Sequence, residues 1–315
     1  MMRRFALALC VSALLFGCGN DDRHGAAPTP TPTPVIGNEQ VPFDLDVALE
    51  LGRLCLQSYQ MLTDFEDGVP FTLPAPYTLQ MQYLTPEHYP GESGTQPIPI
   101  AFVATSGDAI YVVFRGTKTI SEWISDATFS QEPFAPVGGS AKTETGFTAI
   151  YDSIDGPIID EVETLAASGS YSQLYITGHS LGASLATLAA PDLARSTRFA
   201  APILYNFASP RTGNPDFAVA VDALPSSWRI ANTNDEVPKL PPAFAVVFDG
   251  DKPQFFFYEH IDSEFAITFG TPIHSLDDLE TDHAMCNYYA TLCNQSDDPT
   301  TCKAMAGGAD GCMPS

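Results

Sequence analysis

The sequence predicts an α/β chain, a mostly parallel central sheet with helices on both faces, and three observations carry that expectation. Short β-prone runs alternate with helix-forming runs through the middle of the 315 residues, the pattern of parallel strands joined by crossover helices. One junction, LYITGHSLGA at 174–183, passes from a β-prone run through Gly178-His179-Ser180-Leu181-Gly182 into an Ala/Leu-rich run ending near Arg195. Hydrophobic residues make up 44% of the chain, enough to core one large α/β domain or two small ones. At the junction strand and helix nearly collide, so the positions two before and two after the serine must lack bulk, and Gly178 and Gly182 meet that need. A serine on so sharp a turn is presented as a nucleophile; the competing reading is a serine that merely caps the helix.

The other elements follow in order. Over 46–62, Val47, Leu51, Leu54, Cys55, Met61 and Leu62 approximate an apolar helical stripe broken by Ser58, which reads as a first helix. Residues 70–90 read as loop-rich. Strand-like runs at 98–104 and 109–114 flank Ser106-Gly107-Asp108 and predict a hairpin. Later strands are expected at 174–177, 203–207, 228–231, 255–258 and 265–269, and helices at 146–169, 180–196 and 215–224. Ile120, Trp123, Ile124 and Ala127 recur at helical spacing with polar residues opposite, a short amphipathic helix. It is either an ordinary surface helix or a lid over the site.

Residues 1–17 combine Arg3 and Arg4 with an apolar run too short to span a bilayer, the signature of an export signal. Gly17-Cys18 resembles a bacterial lipobox, which would make Cys18 the lipidated N-terminus of the mature protein; the alternative is a plain secretory signal. Residues 18–40 form a Pro/Thr-rich tether that cannot build a core. Gly19 and Asn20, rather than an aspartate, after Cys18 favour outer-membrane anchoring, with secretion as the alternative. The catalytic domain is expected over 41–295 and a Cys-containing tail over 296–315. The net charge of −24 argues against a nucleic-acid partner. Cys55, Cys286, Cys293, Cys302 and Cys312 remain beyond the leader, and export permits one or two bridges. Cys55 either bridges to the tail or stays a buried thiol. No Cys/His cluster has zinc-ligand spacing, so no metal is expected. Oligomeric state is not legible.

A nucleophilic serine needs a base, an acid and donors for the oxyanion. Arg115-Gly116-Thr117, at the end of the second strand, can offer a backbone N–H and a hydroxyl. An acid following a strand after Ser180 is expected, and Asp235 does so, with Glu236, Asp249 and Asp251 as rivals. His260, His274 and His283 remain as bases. His24 lies in the tether, His88 in a Pro-flanked loop, and His179 on the turn would point elsewhere.

These motifs resemble the class 3 lipases, the fungal triacylglycerol lipase group with an α/β-hydrolase fold. The resemblance runs from about 51 to 293 and rests on five blocks: VVFRGT with EWISD at 112–126, YITGHSLGASLA at 175–186, SPRTGN at 209–214, NTNDEVPKLPP at 232–242 and DHAMCNYY at 282–289. It implies Ser180 as nucleophile, Asp235 as acid, His283 as base, Thr117 and the Leu181 N–H as the oxyanion hole, and the Trp123 helix as lid. His260 resembles a family histidine outside the triad. The sequence departs from the family twice. Glu144 stands where members commonly carry a histidine, and Cys286 stands three residues after His283, with the first tyrosine only at Tyr288. Together these imply a cofactor-independent lipase acting on a lipid or ester substrate at an interface. The alternatives are an esterase, phospholipase or feruloyl-type esterase, and a catalytically silent surface-binding lipoprotein.

Overall fold

The computed structural model describes residues 40–85, 97–117, 129–270 and 275–306. The lid candidate (Ile120, Trp123, Ile124), Cys18, the leader, most of the tether, His88, His274 and Cys312 lie outside them. The described residues fall in one compact unit, Gly37–Ser315.

The chain opens with α1 (Leu45–Glu66), whose Asp44 side chain accepts from the N–H groups of Asp46 and Val47 and so caps the free end. Next come β1 (Thr78–Leu84), β2 (Pro99–Ser106) and β3 (Ala109–Phe114), with β2 and β3 joined by the predicted Gly107 turn. A small two-stranded sheet, β4 (Gln131–Pro133) and β5 (Lys142–Glu144), leads into α2 (Thr145–Asp152) and α3 (Asp155–Ser168). Then follow β6 (Gln173–His179), α4 (Leu181–Ser196), β7 (Ile203–Phe207), α5 (Pro215–Asp222) and β8 (Ser227–Asn232). A separate hairpin of β9 (Phe244–Asp249) and β10 (Lys252–Phe257) precedes β11 (Glu264–Ile267), α6 (Leu276–His283), α7 (Met285–Cys293) and α8 (Pro299–Ala304).

The main sheet runs β1-β2-β3-β6-β7-β8-β11. β1, β2 and β3 pair antiparallel, and every later neighbour pairs parallel. This is the α/β-hydrolase fold. Strand alternation divides the core in two. On β3, Ile110, Val112 and Phe114 face the layer built on α2, α3 and α4, whereas Ala109, Tyr111 and Val113 face the layer of α1, α7 and α8. The sheet is therefore buried on both faces.

Two expectations need correction. The helix expected over 146–169 is two helices. Ser153 and Ile154 close α2 through N–H bonds to Ile150 and Tyr151, and Pro157, which has no N–H to give, sits in the first turn of α3, where none is needed. The loop expected over 70–90 contains β1, an edge strand on which only Tyr83 is buried. Burial on one side leaves little apolar pattern to read. Of the two readings open for Cys55, the structure has the buried thiol. It is a free thiol with Sγ 3.3 Å from Thr177 Oγ1, and burial pushes it up to about 12. Cys293 and Cys302 are bonded to each other, tying α7 to α8.

Candidate active site

The site is built where β6 ends. Ser180 has φ 60° and ψ −126°, a conformation that costs an L-residue about 1–3 kcal/mol. Two close approaches enforce it. A Cβ on Gly178 would stand 2.1 Å from the Gly182 carbonyl oxygen, and one on Gly182 2.4 Å from the Phe114 carbonyl oxygen. Ser180 is anchored by its own N–H, which donates to Phe207 O at 3.0 Å, and it sits at the positive end of α4.

His283, the last residue of α6, brings Nε2 to 2.7 Å from Ser180 Oγ. Its Nδ1 lies 2.8 Å from Asp235 Oδ2. Asp235 is fully buried, and its other oxygen, Oδ1, accepts from Val237 N–H at 2.9 Å. The rivals lie elsewhere: Glu236 is paired with Lys239 at 2.6 Å on the surface, while Asp249 and Asp251 flank the hairpin turn. Asn232, the last residue of β8, ties α6 and the segment after β11 together. Its Nδ2 donates to Asp282 O at 3.0 Å and its Oδ1 accepts from Phe269 N–H at 3.1 Å.

Tyr288 was not among the expected site residues. Its hydroxyl donates to Asp235 Oδ2 at 2.7 Å and accepts from Asn232 N–H at 2.9 Å. Burial and the neighbouring carboxylate push the phenol well above its usual range, so it stays a donor. Tyr288→Phe would strand the Asn232 N–H and take one donor from Asp235. The expected result is a stability loss of about 1–3 kcal/mol and a roughly tenfold drop in kcat. Urea unfolding and soluble-ester kinetics check it, and an unchanged kcat would remove the phenol from the relay.

His179 points away from the serine, as the sharp turn requires. Nε2 lies 2.8 Å from the His283 carbonyl, which can only accept, so Nε2 carries the hydrogen and Nδ1 accepts from Tyr59 Oη at 2.7 Å. Burial holds the imidazole well below its usual range, and it serves as a neutral strut behind His283. His260 does similar work on the acid loop: Nε2 donates to Pro238 O at 2.6 Å. Burial and the Arg229 guanidinium hold His260 down at about 3.

Facing the serine is the loop after β3. Arg115, fully buried, donates from Nε to Pro99 O at 2.8 Å and from a terminal nitrogen to Gly116 O. Fixing that carbonyl fixes the whole Gly116–Thr117 peptide plane, and with it the direction of the Thr117 N–H. A Cβ on Gly116 would come within 3.0 Å of Ser180 Cβ, so the neighbouring Thr117 adjoins Ser180. Its hydroxyl is buried and has no hydrogen-bond partner among the described residues. Leu181 is the first residue of α4, so its N–H has no carbonyl within the helix to donate to.

Glu144, where the resemblance to class 3 lipases would put a histidine, caps α2 by accepting from Phe147 N–H at 2.8 Å. Burial pushes its carboxyl up to about 7, with the Phe147 and Gly146 N–H groups opposing. Because the folded value exceeds the ordinary 4.5 of a free glutamate, this group's contribution to stability is full below about 4.5 and lost as pH rises through about 7. Glu144→Gln keeps an oxygen for the cap. The variant should gain up to about 3 kcal/mol over wild type between pH 5 and pH 8, measured as the difference in urea midpoints; a pH-independent difference would refute the shift.

Comparison with known proteins shows what this chain is similar to. Residues 111–245 match the class 3 lipase family. The matched segment carries the Thr117 loop, the Ser180 turn and Asp235. A curated relative, the secreted mono- and diacylglycerol lipase A of Penicillium cyclopium, is 38% identical over 136 residues, 43% of this chain and 44% of its own. The phospholipase A1 EG1 of Oryza sativa subsp. indica is 30% identical over 246 residues, 66% of this chain and 55% of its own. The chain thus spans about half the length, or less, of these relatives. Among solved structures, the triacylglyceride lipase of Rhizomucor miehei superposes with a TM-score of 0.57 at 26% identity, over 71% of this chain and 80% of that one.

Proposed function

We propose that this chain is a serine ester hydrolase that cleaves acylglycerols through an acyl-enzyme. The observation that carries the reading is the relay of 2.7 Å and 2.8 Å from Ser180 through His283 to Asp235. With Nδ1–H donating to Asp235, His283 Nε2 is free to accept. Ser180 Oγ attacks the ester carbonyl as its proton passes to Nε2, and Asp235 stabilises the imidazolium. The tetrahedral oxyanion takes hydrogen bonds from Thr117 and the Leu181 N–H. The alcohol leaves with the proton from Nε2. Water then enters, gives a proton to Nε2 and attacks the acyl carbon, and Ser180 leaves with that proton as the fatty acid is released. No step calls on a cofactor.

The lipase names among the relatives support acylglycerols as substrate, and the rice relative's name supports a second reading, phospholipid ester hydrolysis. Export and a lipid anchor at Cys18 belong to the same proposal and rest on residues 1–40 of the sequence alone. The secreted lipase of Penicillium supports export without an anchor equally well.

The test is covalent labelling with a fluorophosphonate followed by hydrolysis of diacylglycerol emulsion, triacylglycerol emulsion and phosphatidylcholine. Label at Ser180, lost in Ser180→Ala, with fatty acid released from the acylglycerols, is expected. Release from phosphatidylcholine alone would favour the second reading, and no label would defeat both.

A further inference from the structure

The hairpin β9–β10 turns its apolar side outward. Register pairs Phe244 with Phe257, Val246 with Phe255 and Phe248 with Pro253. Because alternate residues share a face, these six side chains form one surface. All six are exposed, Phe248 by 63% and Phe255 by 60%. Phe244 stacks with Phe255 at 5.9 Å and meets Phe257 at 5.3 Å, so the patch is continuous. The opposite face carries buried Ala245 and half-buried Val247 and Phe256. A strand pair that merely covers the body would put its richer apolar face inward, and this one does the reverse.

Its place in the fold ties it to the site. The hairpin leaves the acid loop shortly after Val237, whose N–H donates to Asp235. It is fixed at its base by Tyr258 N–H to Ala243 O at 3.0 Å and Gln131 Nε2 to Phe257 O at 2.8 Å. The class 3 lipase match ends at residue 245, the second residue of β9, so nearly the whole hairpin lies beyond the matched segment. Neither strand pairs with the main sheet, and an isolated hairpin with a bare apolar face is marginal in water.

We propose that this face is a docking surface for an uncharged or zwitterionic lipid–water interface, holding the chain on its substrate. Charge selects the occupant. The six side chains carry no charge, and at a net −24 the chain is repelled by anionic surfaces and by a second copy of itself. Aromatic side chains are favoured at a lipid interface. The proposal rests on the acylglycerol reading above, and binding is measured without turnover so that the two can fail separately.

The experiment uses the unit Gly37–Ser315, which holds both apolar layers of the sheet and so carries its own core. In a Ser180→Ala background, co-flotation with phosphatidylcholine vesicles and with triolein emulsion is compared for the intact hairpin and for Phe248→Ser/Phe255→Ser. The expected result is a partition at least tenfold weaker for the double variant. In the active background, hydrolysis of soluble p-nitrophenyl acetate should stay within twofold while emulsion hydrolysis falls. In parallel, amide exchange over 244–257 of the intact hairpin should slow when vesicles are added; this readout stands even should the double variant misfold. Equal partition of the two forms, or exchange indifferent to vesicles, overturns the proposal. So does a wild-type dimer that the double variant breaks with vesicle binding unchanged. Retained partition alongside absent hydrolysis of every ester would instead defeat the acylglycerol reading alone.

Discussion

Asp235→Asn should lower kcat on a soluble ester by about 10⁴ while leaving KM and the fold nearly intact. The size follows from which way the new amide must point. Val237 N–H donates to Oδ1 at 2.9 Å, so the amide oxygen has to occupy that position. The NH₂ group then takes the place of Oδ2, facing His283 Nδ1 at 2.8 Å and the Tyr288 hydroxyl at 2.7 Å. An amide N–H there makes Nδ1 the acceptor and moves the imidazole proton to Nε2. The nitrogen 2.7 Å from Ser180 Oγ would then offer a proton instead of taking one, and the serine would be left without a base. Steady-state kinetics on p-nitrophenyl butyrate, with urea unfolding as the control for folding, decide the matter. A loss smaller than tenfold would take the tautomer-fixing role away from Asp235.

How far the sequence could be read depended on whether the deciding contact was local. The Ser180 turn was legible because its glycines stand within five residues and one constraint is local: Gly178 is small since the Gly182 carbonyl oxygen stands 2.1 Å from where its Cβ would be, whereas the 2.4 Å approach of Phe114 to Gly182 comes from a distant strand. β7 was legible to the residue, 203–207, because it is a short apolar run between turn residues. Tyr288 was not. Counting three residues from His283 lands on Cys286 and suggests a departure from the family, but the helix breaks at Ala284, with φ −62° and ψ 125°, so helical spacing does not carry across. The tyrosine five residues on reaches Asp235 from a second helix. The His179–Tyr59 contact spans 120 positions and leaves no periodic trace. The hairpin was half legible: the strand expected at 255–258 overlaps β10, but apolar residues on both faces hid the strand alternation of β9. Glu144 looked like a lost histidine and is a helix cap, a role that a carboxylate one residue before α2 fills well.

Thr117→Val should separate activity from stability, with opposite signs. The threonine is buried, 7% exposed, and its hydroxyl has no partner among the described residues. An unmet buried hydroxyl costs about 1–3 kcal/mol, which a methyl of nearly the same shape would relieve. A residue kept only for packing would gain from the change. In the tetrahedral intermediate that hydroxyl acquires an acceptor, the oxyanion, and losing one such donor typically costs about 10² to 10³ in kcat. The neighbouring peptide plane remains fixed by the Arg115 bond to the Gly116 carbonyl, so the Thr117 N–H stays aimed as before and the effect reports on the hydroxyl alone. The expected variant is therefore at least as stable as wild type and hundreds of times slower, with KM little changed because the interaction belongs to the transition state. Thermal unfolding and p-nitrophenyl ester kinetics measure both halves. A variant that loses stability and keeps its kcat would show the hydroxyl to be a structural group, and the oxyanion would then have to be held by backbone N–H groups alone.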